Sequence, residues 1–274
     1  MQTKLSRIYT KSDIIAQLKK MGVPRDKVVI MHSSLRSIGK TENGAKTILD
    51  AMIEYFTEEG GLFAVPTHTW ADIGKDITLD MTDRKTCLGA FSAFALSDSR
   101  GIRSENPTHS LIVFGDREKA LKFIDGELRV TSGTSPESCY GKMIALDGYI
   151  LLVGVNHARN TFLRSAEDIL GVKNRLSHNS VEVSVKLNTG EVVRTNVHPH
   201  KTDFTSDVSL RYPKYETVFR YFGAITDGFI GNAPTQACSC RGMLTAMETV
   251  IKNAKQDDVL ANEFPIPQKL YCKR

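Results

Sequence analysis

Residues 27–39 read Lys27-Val28-Val29-Ile30-Met31-His32-Ser33-Ser34-Leu35-Arg36-Ser37-Ile38-Gly39, an apolar run that turns abruptly polar. The run is rich in β-branched residues, too short for a helix and without alternation, so it is expected as a strand buried on both faces. Beyond the polar stretch, Ala45, Ile48, Leu49, Met52, Ile53 and Phe56 recur every three or four residues, the spacing of one helix face. Gly60-Gly61 ends that helix, and Leu62–Val65 is a second apolar run. Strand, helix and strand make a βαβ unit, which sets the class as α/β.

The same alternation extends in both directions. Towards the N-terminus, Ile14, Ile15, Leu18 and Met21 fall at helical spacing, with Thr10 or Ser12 to cap the helix and Gly22-Val23-Pro24 to stop it. Towards the C-terminus, Ser110–Phe114 precedes a helical pattern at Arg117–Ile124, and Tyr149–Val155 precedes another at Thr161–Leu170. Apolar strands between helices predict a three-layer α/β/α arrangement around a largely parallel central sheet. The last third changes period. Val181–Leu187 alternates strictly, Asn188-Thr189-Gly190 supplies a turn, and Glu191–Val197 returns, so an antiparallel hairpin is expected there. A helix near Tyr215–Phe222, a strand near Ala224–Ile230 and a helix near Arg241–Lys255 follow. Residues 1–274 are expected to form a single domain, with 257–274 as a surface tail.

Composition narrows the function. The 274 residues are 41% hydrophobic and 24% charged, an ordinary globular balance. The net charge of +5 is spread along the chain and gives no argument for nucleic acid. Five irregularly placed cysteines suit a reducing compartment better than a disulfide framework. The opening residues hold no apolar leader, and no run approaches the ~20 apolar residues of a membrane span. A cytoplasmic protein with no membrane or nucleic-acid partner is expected, and a homodimer stays open.

Ligands of open α/β sheets sit beyond the carboxyl ends of the strands, so the loops carry the chemistry. His32, Ser33, Ser34, Leu35, Arg36, Ser37 and Gly39, with Lys40 and a following helix N-terminus, make a candidate anion site, although the stretch is neither a Walker loop nor G-x-G-x-x-G. Arg103-Ser104-Glu105-Asn106-Pro107-Thr108-His109-Ser110 offers a cation, hydroxyls and a histidine beside a rigid proline. Thr161, Arg164, Glu167 and Asp168 share one helix side, which a solvated ion pair would equally explain. His198-Pro199-His200 with Asp203, and Cys238-Ser239-Cys240, lack zinc-site spacing, so no metal is expected. Trp70, after Pro66-Thr67-His68-Thr69, faces a ligand or fills a cleft.

Read together, Val28–Gly39, Gly60–Thr67, Arg103–Ser110, Ser135-Pro136, Leu146–Val155 with Asn160–Glu167, and Ile230–Asn232 resemble, in order and over nearly the whole chain, the aminoglycoside 3-N-acetyltransferases. These enzymes use acetyl-CoA on a fold distinct from the common acetyltransferases. The resemblance implies acetyl-CoA as co-substrate, held by the loops His32–Gly39 and Arg103–Ser110, and direct transfer to an amine of an aminoglycoside or related small molecule. It implies catalytic roles for Thr161, Glu167 and the position of Arg164. That position departs from the family pattern NTxxHxxE, whose histidine is thought to help form the general base. An arginine cannot take that role near neutral pH. Asn106-Pro107 likewise stands where the family commonly has His-Pro. Three readings follow: an acetyltransferase using Glu167, His68, His109 or His157 as base; a CoA-binding relative with weak or no turnover; or a nucleotide- or CoA-sensing protein. Carboxylates to receive a polycation would come from Asp72, Asp76, Asp80, Asp83, Glu167, Asp168 and Asp227.

Overall fold

The computed structural model describes residues 7–201, 207–255 and 257–272. The strands are β1 (Ile8–Tyr9), β2 (Val28–Ser33), β3 (Lys40–Thr41), β4 (Leu62–Pro66), β5 (Thr78–Asp80), β6 (Ile102–Arg103), β7 (Leu111–Phe114), β8 (Tyr149–Val153), β9 (Val181–Lys186), β10 (Val192–Val197), β11 (Ile225–Ile230) and β12 (Ala233–Ser239). The helices are α1 (Lys11–Met21), α2 (Leu35–Ile38), α3 (Ala45–Thr57), α4 (Ala90–Leu96), α5 (Arg117–Ile124), α6 (Cys139–Lys142), α7 (Phe162–Ile169), α8 (Glu216–Tyr221) and α9 (Cys240–Asn253). Thr10 caps α1 reciprocally with Asp13, and Gly22 ends it at φ +66°, a left-handed turn that favours glycine.

Seven strands form the main sheet in the order β11-β12-β8-β2-β4-β7-β6. Only β2 with β4 and β2 with β8 pair in parallel; β4–β7, β6–β7, β8–β12 and β11–β12 are antiparallel. The central sheet is therefore mixed, not largely parallel as expected. The cause is physical: a strand covered on both faces reads as an apolar run whichever way it points. Direction is set by connections, here the loop from β6 to β7 and the tight turn at Gly231-Asn232 between β11 and β12. β12 was not expected at all, because Ala233-Pro234-Thr235-Gln236-Ala237-Cys238-Ser239 is made of small residues with little strand signature.

Alternate residues of β2 face opposite layers. Val28 and Ile30 pack with Phe123, Phe162, Phe219 and Met247. Val29 and Met31 pack with Ile14, Leu18, Ile48, Met52 and Phe56 of α1 and α3. Helices thus cover both faces, giving three layers. The expected hairpin forms as β9–β10, pairing Val181 with Val197, and β5 joins β9 in parallel to make a separate three-stranded sheet. Of the expected surface tail 257–274, residues 257–272 are described; most are exposed, and Leu260, Ile266 and Tyr271 anchor the segment in the core beside α9. Among the described residues no helix is long and apolar enough to cross a membrane.

Candidate functional site

The carboxyl ends of β2, β4 and β8 share one edge of the sheet. Because β7 runs antiparallel to β4, the loop that precedes it, Arg103–Ser110, reaches that same edge. Backbone bonds continue past the strands, from Thr67 N to Ser110 O at 2.8 Å and from Thr69 N to Thr108 O at 2.9 Å, and so set His68 beside His109. With the head of α7, residues 198–200, Asp207 and Ser209 they line a cavity of about 530 Å³. His32, His68, Trp70, Thr108, His109, Thr161, Arg164, His200 and Asp207 line it.

Three imidazoles adjoin one another on its wall, one pair tilted and the other edge-to-face. Ring centroids lie 4.5 Å apart for His68 and His109 and 5.2 Å for His109 and His200. His68 Nε2 lies 2.8 Å from the Tyr140 hydroxyl, and His200 Nε2 lies 2.9 Å from Thr134 Oγ1. His109 Nδ1 lies 2.8 Å from Thr108 Oγ1, whose hydroxyl also reaches Asn106 Oδ1 at 3.2 Å. Asn106 Oδ1 also accepts from the backbone N–H groups of Thr108 and His109 at 3.0 and 2.8 Å and fixes the loop. Gly133 closes the back of the ring, where any Cβ would run into Thr108 Oγ1 and His109 Nδ1. Burial pushes the His109 pKa well below the ordinary imidazole value, and His200 and the Arg164 charge add to it. His68 and His200 are lowered in the same way, by burial first and charged or ionisable neighbours second. Burial, with Arg159 nearby, lowers His32 to about 3. The cavity therefore holds neutral imidazoles at physiological pH.

Arg164 supplies the fixed charge. Its Nη2 donates to Asp207 Oδ1 at 2.6 Å, while Nη1 is buried with no partner among the described residues. Burial alone would raise the Asp207 carboxyl, but the Arg164 charge and the bonds from Ser209 carry it below its ordinary value. Asp207 carried no sequence signal, and His200 was noticed only as part of a weak metal pattern. Among the described residues no group of three His, Cys, Asp or Glu side chains is arranged to hold a metal ion, and Asp203 lies outside them.

Several expected residues stand elsewhere. Glu167 is turned away from the cavity: its Oε1 accepts from Arg175 Nε at 2.9 Å and its Oε2 from the Tyr212 hydroxyl at 2.7 Å. His157 is buried behind it against Phe219. Asp168 lines a smaller cavity of about 270 Å³, with Arg164 between the two. Arg103 is a buried strut rather than a phosphate ligand. It donates to the carbonyls of Asp83, Thr67 and Lys85 at 2.7, 3.1 and 3.2 Å and to Ser110 Oγ at 3.3 Å. Burial lowers its pKa to about 10 against the opposing charges of Asp83 and Asp80. Ser104 donates to the buried Glu127, and the Pro107 carbonyl accepts from Thr69, so both serve the loop itself.

The first loop begins as strand. His32 and Ser33 end β2; Ser34 N bonds the Val153 carbonyl at 2.9 Å, and Ser37 Oγ donates to Ser34 Oγ at 2.9 Å. Leu35, Arg36, Ser37 and Ile38 form α2, Arg36 and Gly39 are exposed, and Gly39 has φ +87° against Asn232. The connection after β8 borders two cavities. Ala158, Arg159 and Asn160 line the one described, and Val155 and Asn156 line an open cleft of about 860 Å³.

A mixed sheet covered on both faces, with a histidine-lined cavity at one edge, defines an α/β protein built to hold a small molecule. The chain belongs to the aminoglycoside 3-N-acetyltransferase family, whose description matches residues 30–252. It is 25% identical over 178 residues to the SPbeta prophage-derived aminoglycoside N(3')-acetyltransferase-like protein YokD of Bacillus subtilis (strain 168), covering 58% of this chain and 64% of that protein, less than two thirds of its length. It is 23% identical over 191 residues to aminoglycoside N(3)-acetyltransferase III of Pseudomonas aeruginosa, covering 63% of this chain and 69% of that one. Among solved structures, it is similar to the apoenzyme of aminoglycoside acetyltransferase AAC(3)-IVa, with a TM-score of 0.75 and 24% identity over 91% of this chain and 90% of that one. The binary complex of AAC-IIIb with CoASH superposes with a TM-score of 0.75 and 19% identity over 92% of this chain and 99% of that one. These likenesses carry the fold.

Proposed function

We propose that the protein is an acetyl-CoA-dependent N-acetyltransferase in which His109 Nε2 receives the proton of the acceptor amine. The observation that supports this reading is the place of the His109 ring at the wall of the cavity with Nδ1 2.8 Å from Thr108 Oγ1; with the Thr108 hydroxyl proton directed to Asn106 Oδ1, Nδ1 carries the ring proton and Nε2 the lone pair. The acceptor binds as the free amine. Its nitrogen attacks the thioester carbonyl, a C–N bond forms, and the carbonyl oxygen becomes an oxyanion, for which the Thr161 hydroxyl is the proposed donor. The nitrogen's proton passes to His109 Nε2, the C–S bond breaks, and the departing CoA thiolate takes that proton, giving the amide and CoA. A weak base suffices, because the ammonium of the tetrahedral adduct is far more acidic than the free ammonium.

The thioester is proposed to enter past His32 and Arg159, with the CoA phosphates against α2, where Arg36 is exposed. Arg103, Ser104 and Ser110 shape the loop behind it. The chain is read as one acetyltransferase domain, since the cavity wall draws on residues from His32 to Ser209. Its cysteines are free, in keeping with a cytoplasmic location. The second reading, a CoA-binding relative without turnover, is favoured by one observation, the permanent cation Arg164 in the family's histidine position.

The experiment is CoA release from acetyl-CoA, followed with a thiol reagent across a panel of amines, beside calorimetric binding of acetyl-CoA. Amine-dependent release that His109→Gln slows on the order of 10²–10⁴-fold supports the proposal. Binding without release by any amine moves the conclusion to the second reading. No binding of CoA or acetyl-CoA overturns both.

A further inference from the structure

We infer that the acceptor is an amine carrying its own anionic group, a carboxylate or a phosphate, which seats on the Arg164 guanidinium. The inference rests on the acetyltransferase reading for the reaction, but the anion seat itself stands on three observations.

First, the Arg164 side chain is only 11% exposed: Nη2 holds Asp207, and Nη1 is buried without a partner among the described residues. A buried guanidinium N–H without an acceptor is unfavourable, and an incoming anionic oxygen cures it with a charge-assisted bond. Second, the described residues that line the cavity bring no spare negative charge. The charged side chains on its wall are Arg159, Arg164 and Asp207, and Asp207 is already taken by Arg164. Burial holds His32, His68, His109 and His200 there neutral. Third, none of the seven carboxylates named for a polycation lines the cavity, and five of them are paired elsewhere. Asp72 pairs with Lys75, Asp80 with Lys186, Asp83 with Lys85, Asp227 with Arg220 and Glu167 with Arg175. A polycationic acceptor would bring several charges into a site whose uncompensated charge is positive. An amine with an anion on the same skeleton cancels that charge and is positioned by it, with Arg164 and His109 on the wall of one cavity.

The test uses matched pairs that differ only in the anion: glucosamine 6-phosphate against glucosamine, and 4-aminobutyrate against 4-aminobutyramide, with gentamicin as the polycation. Two readouts are kept apart, calorimetric binding of each amine in the presence of CoA, and kcat/KM from CoA release with acetyl-CoA. The anionic member of at least one pair should bind and react about tenfold or more better at low ionic strength, and which pair does so identifies phosphate or carboxylate. Salt should shrink the preference. Arg164→Gln should reduce it to about twofold or less, and Arg164→Lys, which keeps the charge, should retain part of it. Gentamicin or the neutral amines matching the anionic ones, no amine binding at all, or a preference that survives in Arg164→Gln, would each overturn the inference. Preference in binding without any acetyl transfer keeps the anion seat and removes the acetyltransferase reading. Transfer without preference does the reverse.

Discussion

Glu167 Oε1 accepts from Arg175 Nε at 2.9 Å, and with the Tyr212 bond to Oε2 this holds Glu167 in the frame outside the cavity lining. Arg175 in turn holds both oxygens of Asp258 at 2.9 Å, tying the segment after α9 to the end of α7. The glutamate that matches the family's helix pattern therefore braces α7 instead of facing a substrate.

Removing Arg175 leaves the buried Glu167 charge uncompensated, which costs about 3–5 kcal/mol. Arg175→Met should lower the urea midpoint accordingly. Glu167→Gln should also destabilise, yet leave the pH profile of kcat/KM where it was, because the group that takes the proton is untouched. A profile that loses a limb in Glu167→Gln would return the glutamate to the chemistry.

In the proposed tautomer Thr108 Oγ1, 2.8 Å from His109 Nδ1, accepts that proton and orients the base. Thr108→Val keeps the shape and removes the acceptor, so the ring loses its fixed tautomer. The expected result is a fall in kcat of about ten- to a hundredfold with the KM for acetyl-CoA little changed. Thr108→Ser should restore most of the rate, which a merely structural role for the side chain would not require.

Much of this arrangement was legible in the sequence, and the parts that were not have specific causes. Val28–Met31 declared a strand buried on both faces, and the helix of Ile48, Met52 and Phe56 declared its neighbour. The direction of β7 was not encoded in Leu111–Phe114, since an apolar run buried on both sides looks the same reversed. That reversal brings the Arg103–Ser110 loop to the site, and with it His109. His68 and His109 were visible as single histidines, but their contact depends on the pairing of Thr69 with Thr108. His200 and Asp207 come from far along the chain and carry no local pattern. Glu167 and Arg164 share a helical spacing, yet three residues on a helix are enough to turn one towards Tyr212 and the other towards Asp207.

The pH dependence of transfer follows from the lowered His109 pKa. A base already neutral throughout the working range contributes no ascending limb near 6.5. The rise of kcat/KM with pH should instead follow the ammonium pKa of whichever acceptor is used, because only the free amine attacks. Measuring the profile with two acceptors of different basicity checks this. A common midpoint near 6.5 for both would show an ordinary histidine at work.

Stability should weaken in acid earlier than carboxylate pairing alone would dictate. Burial lowers His32 to about 3 and His157 to about 4, and His68, His109 and His200 also lie well below the ordinary value. In the unfolded chain these imidazoles take up protons near 6.5. Between that value and the folded ones the unfolded state binds more protons, so stability is full above about 6.5 and is lost as pH falls. Each buried histidine adds a slope of about 1.4 kcal/mol per pH unit in that window. Glu127 and Asp168, both raised chiefly by burial, work in the opposite sense, but they are two groups against five. Asp80 and Asp207, lowered in the fold, lose their contribution only nearer pH 4 and below. Urea midpoints should therefore be flat from pH 8 to 7 and fall steeply from 6.5 to 5. His157→Gln, which removes one such group away from the cavity wall, should flatten the fall by about one proton's worth. Constant midpoints across the whole range would mean that the imidazoles keep their ordinary affinity for protons inside the fold, and would withdraw the neutral cavity on which the transfer step depends.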